Sequence, residues 1–147
     1  MVPFPSTHFK TFQHPSEGMD KIVVDTNFLL AQFEYGVDVP FELLRISDAP
    51  FTLVIPSVVK KELLTLSGRN GKRATAARFA LQNMEKWRAR FAILEEKSEG
   101  RADDWIFKYA QKNKAAVATN DVPLRKKLLA SKVMVIAMKG KSKLDYV

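Results

Sequence analysis

Short apolar runs alternate along this chain with longer stretches in which apolar side chains recur every three or four residues. The runs fall at residues 21–24, 51–55, 91–94, 115–119 and 133–138. The periodic stretches fall at 27–34, 41–46, 57–66, 72–90, 103–112 and 123–131. Strands that read as unbroken apolar runs are buried on both faces, and the helices between them supply the cover. The alternation therefore predicts an α/β domain with a central, mostly parallel five-stranded sheet and helices on both sides. Ser67-Gly68-Arg69-Asn70-Gly71 separates two of the helices, and Lys97-Ser98-Glu99-Gly100 separates the third strand from the helix after it. Residues 1–18 are rich in Pro, Ser, Thr, His and Gln without a period. They read as an N-terminal extension or leader to a domain at 19–147, with Met19 as an alternative start.

Four acids interrupt the apolar pattern. Asp25 ends the first run and Asp121 follows the fourth. Ligands of open α/β sheets bind outside the carboxyl ends of the strands, so both acids stand where a site forms. Each has a plainer alternative as the N-cap of the following helix, and Pro123 in a first turn suits that alternative at Asp121. Glu62 and Asp103 lie on helices instead. At about 100° per residue, Glu62 falls within the stripe Val58, Val59, Leu63 and Leu66, while Lys60 and Lys61 project elsewhere. Asp103 projects onto the stripe Ile106, Phe107 and Ala110, whereas Asp104 turns toward Lys108 as a solvated or supporting acid. A lone carboxylate on an apolar face is costly to keep ionised unless paired or bound to metal. The alternative for Glu62 and Asp103 is an ion pair with a neighbouring Lys or Arg. Two strand-end acids and two helical acids can converge only on the carboxyl edge of the sheet.

Composition narrows the chemistry. The chain has 147 residues, 24 Lys and Arg against 16 Asp and Glu, and a formal charge of +8, which favours a polyanionic partner. It has no Cys, and its two histidines, His8 and His14, both lie in the extension. Thiolate zinc sites are excluded and any metal site must be rich in oxygen, as a hard divalent cation prefers. No apolar run approaches the roughly 20 residues that a spanning helix needs, so the chain reads as a soluble, cytoplasmic protein with no membrane partner.

Asp25-Thr26-Asn27-Phe28-Leu29-Leu30, Pro56 through Glu62-Leu63, Ala102-Asp103-Asp104-Trp105-Ile106, and Ala118-Thr119-Asn120-Asp121 with Leu124-Arg125 follow one another in an order that resembles PIN-domain ribonucleases. The resemblance covers nearly all of residues 20–138. It implies a three-layer α/β/α domain and a site for Mg²⁺ or Mn²⁺ held by the acids Asp25, Glu62, Asp103 and Asp121. It also implies supporting polar roles for Asn27, Thr119 and Asn120, with Asp104 beside them. The Asp103-Asp104 pair and the Ala-Thr-Asn-Asp ending are most similar to archaeal and eukaryotic PIN proteins associated with pre-rRNA processing. VapC toxins share the wider pattern. The partners implied are RNA, ribosome-assembly factors or an antitoxin, and a second copy in a homodimer.

Phosphodiester hydrolysis needs an activated water, neutralised phosphate charge and a stabilised leaving oxygen, which carboxylate-held divalent cations supply. The expectation is a metal-dependent endoribonuclease acting through metal-activated water, with Glu62 as a ligand or as acceptor of the nucleophile's proton. Arg69, Lys72 and Arg73 open a basic stretch that continues through Arg78, Lys86, Arg88 and Arg90 and is suited to a phosphate backbone, or to a solvated helix face. Trp87 and Trp105 lie in helical apolar patterns that suit core positions better than base stacking. The rival from another class is a catalytically silent RNA-binding or scaffold module, and a toxin held by an inhibitor is a third reading. A phosphatase with Asp25 as nucleophile ranks last, because Asn27 stands where its second acid belongs.

Overall fold

A computed structural model describes residues 21–47, 50–140 and 143–147. The extension at 1–18, its two histidines and Met19 lie outside the described residues. The chain runs β1 (Lys21–Val24), α1 (Thr26–Tyr35), α2 (Val39–Ile46), β2 (Thr52–Pro56), α3 (Ser57–Ser67), α4 (Lys72–Arg88), β3 (Ala92–Glu96), α5 (Ala102–Asn113), β4 (Ala116–Ala118), α6 (Val122–Ala130), β5 (Val135–Lys139) and β6 (Lys143–Tyr146). The strands form one sheet in the order β3-β2-β1-β4-β5-β6, parallel throughout except for β6. The order in which strands are added reverses at β1, with β2 and β3 on one side and β4 and β5 on the other, so the strand ends beside β1 form the switch point.

Alternation along the strands sorts the core into two layers. Ile22, Val24, Leu53, Ile55, Ala116 and Ala118 pack with α1 to α4, burying Phe28, Leu43, Val59, Leu63 and Ala77. Val23, Val54, Val117 and Val135 face the other way against Ile106 and Ala110 of α5 and Leu124 and Leu128 of α6. This is the α/β/α sandwich expected from unbroken apolar strands. Each fully buried Leu, Ile or Phe contributes about 1.5–3 kcal/mol relative to exposure. Truncating Leu63 to Ala would cost about 2–5 kcal/mol through the cavity it leaves.

The sheet has a sixth strand beyond the five expected. β6 buries only Leu144 and carries Lys143 and Asp145 on its exposed positions, so its sequence reads as a polar tail. Long-range hydrogen bonds hold it instead. Leu144 N donates to Glu42 Oε1 at 3.0 Å, and Arg45 Nη2 donates to the Leu144 carbonyl at 2.7 Å, so α2 occupies that edge of the sheet. Helix ends follow local chemistry: Gly36 closes α1 at φ 65°, a left-handed conformation that glycine adopts without a Cβ penalty. No helix among the described residues is long and apolar enough to cross a membrane.

Candidate active site

β1 and β4 pair in parallel with Val24 opposite Ala118, so Asp25 and Thr119 leave the sheet side by side. Asp25 is 6% exposed and caps α1, accepting from Phe28 N at 2.7 Å through Oδ1. Its other oxygen accepts a hydrogen bond from the fully buried Thr119 hydroxyl. Both bonds favour the carboxylate, yet burial outweighs them, and repulsion from Asp103 and Asp121 adds to it. Asp25 is raised from the ordinary 3.8 to about 6. Thr119 Oγ1 also accepts from Asp121 N at 3.1 Å, so one hydroxyl fixes both strand-end acids. Asp121 caps α6 by accepting from Leu124 N at 2.8 Å. Capping and cleft lining thus coincide at Asp25 and Asp121.

The helical acids approach from the other side. Glu62 is exposed on α3, and its Oε1 accepts from the buried Thr26 hydroxyl. Asp103 stands in the first turn of α5; burial raises its pKa most, Asp121, Asp104 and Glu62 raise it further, and Arg101 opposes them. Neither Glu62 nor Asp103 makes an ion pair among the described residues. Asp25, Glu62, Asp103 and Asp121 line one cleft of about 490 Å³ together with Thr26, Asn27, Lys61, Arg69 and Arg73.

Among the described residues no three acids are grouped closely enough to hold a metal ion in their present side-chain positions. The donor chemistry nevertheless fits a hard divalent cation. Every donor is oxygen, the acids repel one another, and Asp103, Glu62 Oε2 and Asp121 Oδ1 carry no hydrogen bond among the described residues.

The remaining expected site residues divide. Asn27 lines the cleft and accepts from Arg73 Nη2 at 3.5 Å. Asn120 turns away, its Oδ1 accepting from Met138 N at 2.8 Å, so it ties β4 to β5 rather than facing the cleft. Asp104 is exposed outside the cleft and acts on Asp103 through charge; no ion pair joins it to Lys108 among the described residues. Of the three basic candidates, Arg69 and Arg73 reach the cleft, whereas Lys72 lines an adjoining groove between α1 and α4. Further along, Arg78 bonds the Ser67 carbonyl at 2.7 Å and the Arg69 carbonyl at 3.3 Å, which anchors the loop presenting Arg69. Arg88 is paired with Glu85 and Glu95.

Three polar cleft residues, Thr26, Lys61 and Thr65, carry no site role in the sequence pattern. Thr26 was hidden beside Asp25 in the same motif, although a hydroxyl between a strand-end acid and a helix is a legible signal. Lys61 was expected to point away; Lys60 does, pairing with Glu95 at 3.0 Å, while Lys61 lines the cleft.

A parallel sheet with four carboxylates at its carboxyl-edge switch point defines the class, and the chain belongs to the PIN-like domain family, whose model matches residues 22–141. It is 33% identical over 127 residues to Ribonuclease VapC4 of Methanocaldococcus jannaschii, a match covering 84% of this chain and 93% of that protein. The solved structure of the PIN domain endonuclease Utp24 has the same fold, with a TM-score of 0.70 at 22% identity over 86% of this chain and 90% of that one. A domain of a functionally unknown protein from Methanocaldococcus jannaschii DSM 2661 also shares it, with a TM-score of 0.61 at 16% identity over 82% and 92% of the two chains.

Proposed function

We propose that this chain is a divalent-metal-dependent endoribonuclease that hydrolyses RNA phosphodiester bonds in the acidic cleft. The carrying observation is the convergence of Asp25, Glu62, Asp103 and Asp121 from four separate chain segments into one cleft rimmed by Lys61, Arg69 and Arg73. Four carboxylates alone would repel a phosphate, so the cleft makes sense for an RNA strand only with a cation between them. The relative named a ribonuclease, matched over nearly its whole length, supports the same reading.

Asp25, Asp103 and Asp121 would hold Mg²⁺ or Mn²⁺, with Glu62 as a further ligand or as acceptor of the attacking water's proton. The chemistry such an ion supplies when bound is neutralisation of phosphate charge and ionisation of water near neutral pH. The chain's own residues do the rest. Thr119 holds the Asp25 carboxylate and the Asp121 backbone in fixed relation, and Thr26 orients Glu62. Lys61, Arg69 and Arg73 would take the phosphates flanking the scissile bond.

The identity to Ribonuclease VapC4 favours one second reading within this chemistry, a toxin-type ribonuclease held by a protein antitoxin. Processing of structured rRNA precursors is the other RNA-cleaving role the motifs suggest. The test is incubation of labelled structured and single-stranded RNA with the protein in Mn²⁺, Mg²⁺ or EDTA, beside Asp25→Asn. Metal-dependent cleavage that the variant lacks is expected. Tight binding with no cleavage in either metal would move the assignment to a silent RNA-binding module.

A further inference from the structure

On the far side of α5 from the acids, a groove of about 440 Å³ runs between that helix and the end of β3. Its wall is aromatic. Trp105 and Tyr109, one turn apart, stack with ring centroids 4.7 Å apart and planes 17° from parallel. Both pack against the second core layer yet stay half-buried, unlike Trp87, which is 3% exposed in the core. The indole N–H of Trp105 donates to no partner among the described residues. Lys21 lies over the Tyr109 ring at 5.8 Å, and Tyr109 reaches Glu96, the single acid of the groove.

The rim is cationic. Lys97, Lys108 and Lys112 line the groove, and none of them makes an ion pair among the described residues. Unpaired ammonium groups around a partly exposed aromatic stack form the combination that binds single-stranded nucleic acid, with phosphates on the lysines and a base against the rings. Duplex RNA fits poorly, because its bases are already stacked and paired.

Position ties the groove to the acids. Asp103 lines the cleft and Trp105 lines the groove, and two helical residues place them about 200° apart around α5. The first turn of α5 is therefore the wall between the two sites, and Arg101, whose charge acts on Asp103, stands at its head. Trp105 is the groove residue nearest in sequence to Asp103.

We propose that the groove between α5 and β3 is a second RNA subsite, which takes an unpaired base on Trp105 and its flanking phosphates on Lys97, Lys108 and Lys112. It rests on the ribonuclease reading and extends it: the substrate is single-stranded on the α5 side of the cut.

The test is titration of the full-length protein in EDTA with a fluorescein-free uridine oligonucleotide and with a duplex of equal length, reading tryptophan fluorescence across a salt series. Single-strand binding should quench Trp105 emission, and Trp105→Phe should abolish the quench and weaken binding about tenfold. Lys108→Gln/Lys112→Gln, which disturbs no packing, should lower the slope of log affinity against log salt by about 1.4, at about 0.7 per lost phosphate contact. No quench in the wild type, or an unchanged affinity and salt slope in the lysine variant, overturns the subsite. A duplex that quenches and binds as well as the single strand also overturns it. Cleavage in metal is scored separately with Asp25→Asn, so loss of the nuclease reading is distinguishable from loss of the groove.

Discussion

Replacing Asp25 with Asn should stabilise the metal-free protein while destroying its proposed activity. The carboxyl is raised from 3.8 to about 6 chiefly because burial disfavours its charge. A folded-state pKa above the unfolded value means that the native state binds the proton more tightly. Stability is then fully present below about pH 4 and is lost as pH rises through about 6. A displacement from 3.8 to about 6, at about 1.36 kcal/mol per pH unit, makes the ionised group cost about 3 kcal/mol at pH 7. Asn removes that cost with the same shape. It caps helices as well as Asp, its Oδ1 can accept from Phe28 N, and its amide can donate to Thr119 once that hydroxyl turns. The expected gain is about 2–3 kcal/mol in EDTA at pH 7, or roughly 4–12 °C in Tm for a chain of this size. The assay is thermal and urea unfolding of both proteins at pH 4, 5, 6 and 7. The gap should close toward pH 4, since both folded proteins are then neutral at this position and the unfolded carboxyl is close to its own pKa. In a hundredfold excess of Mn²⁺ over its Kd, the wild type should recover about 2.7 kcal/mol and the variant much less. A variant less stable than wild type at pH 7 in EDTA, or a gap constant from pH 4 to 7, refutes the reasoning.

Other substitutions probe the supporting groups. Thr119→Val removes the donor to Asp25 and the acceptor for Asp121 N, and should cost about 1–3 kcal/mol in urea unfolding. It should also move the acid limb of the cleavage profile to higher pH, since Asp25 loses a bond that favours its charge; Thr119→Ser should restore both. Thr26→Val frees Glu62 and should reduce cleavage or Mn²⁺ affinity about 10–100-fold with little change in Tm, measured by steady-state kinetics and by metal titration. Arg69→Gln/Arg73→Gln should weaken RNA binding and lower its salt slope by about 1.4 if each meets one phosphate of a single strand. An unchanged slope would place these residues off the RNA path.

The acids were legible because strand ends and helix faces are geometric consequences of local sequence. Asp25 and Asp121 follow short apolar runs that read as buried strands, and 3.6-residue periodicity sets Glu62 and Asp103 beside apolar stripes, where the structure leaves both exposed at the cleft. What stayed hidden depends on partners distant in sequence. β6 has one buried side chain and is held by Glu42 and Arg45, about 100 residues upstream. Asn120 has a supporting role only through the resemblance to PIN-domain motifs, and in the structure the β5 backbone claims its side chain. The basic stretch looked uniform in sequence, whereas folding spends Arg78 on a loop and Arg88 on glutamates and leaves Arg69 and Arg73 for the cleft. Trp105 shares the helical pattern of a core residue, and the fold leaves it half-buried in a groove beside Lys97, Lys108 and Lys112.

The central claim is that four carboxylates from separate elements jointly hold a divalent cation. A crystal of the protein grown with Mn²⁺, with data collected at the manganese absorption edge, tests it most directly. The account predicts an anomalous peak within coordination distance of Asp25, Asp103 and Asp121, with Glu62 turned toward it, and no such peak in Asp25→Asn. An empty cleft at saturating Mn²⁺, or a peak held by other residues, would contradict it.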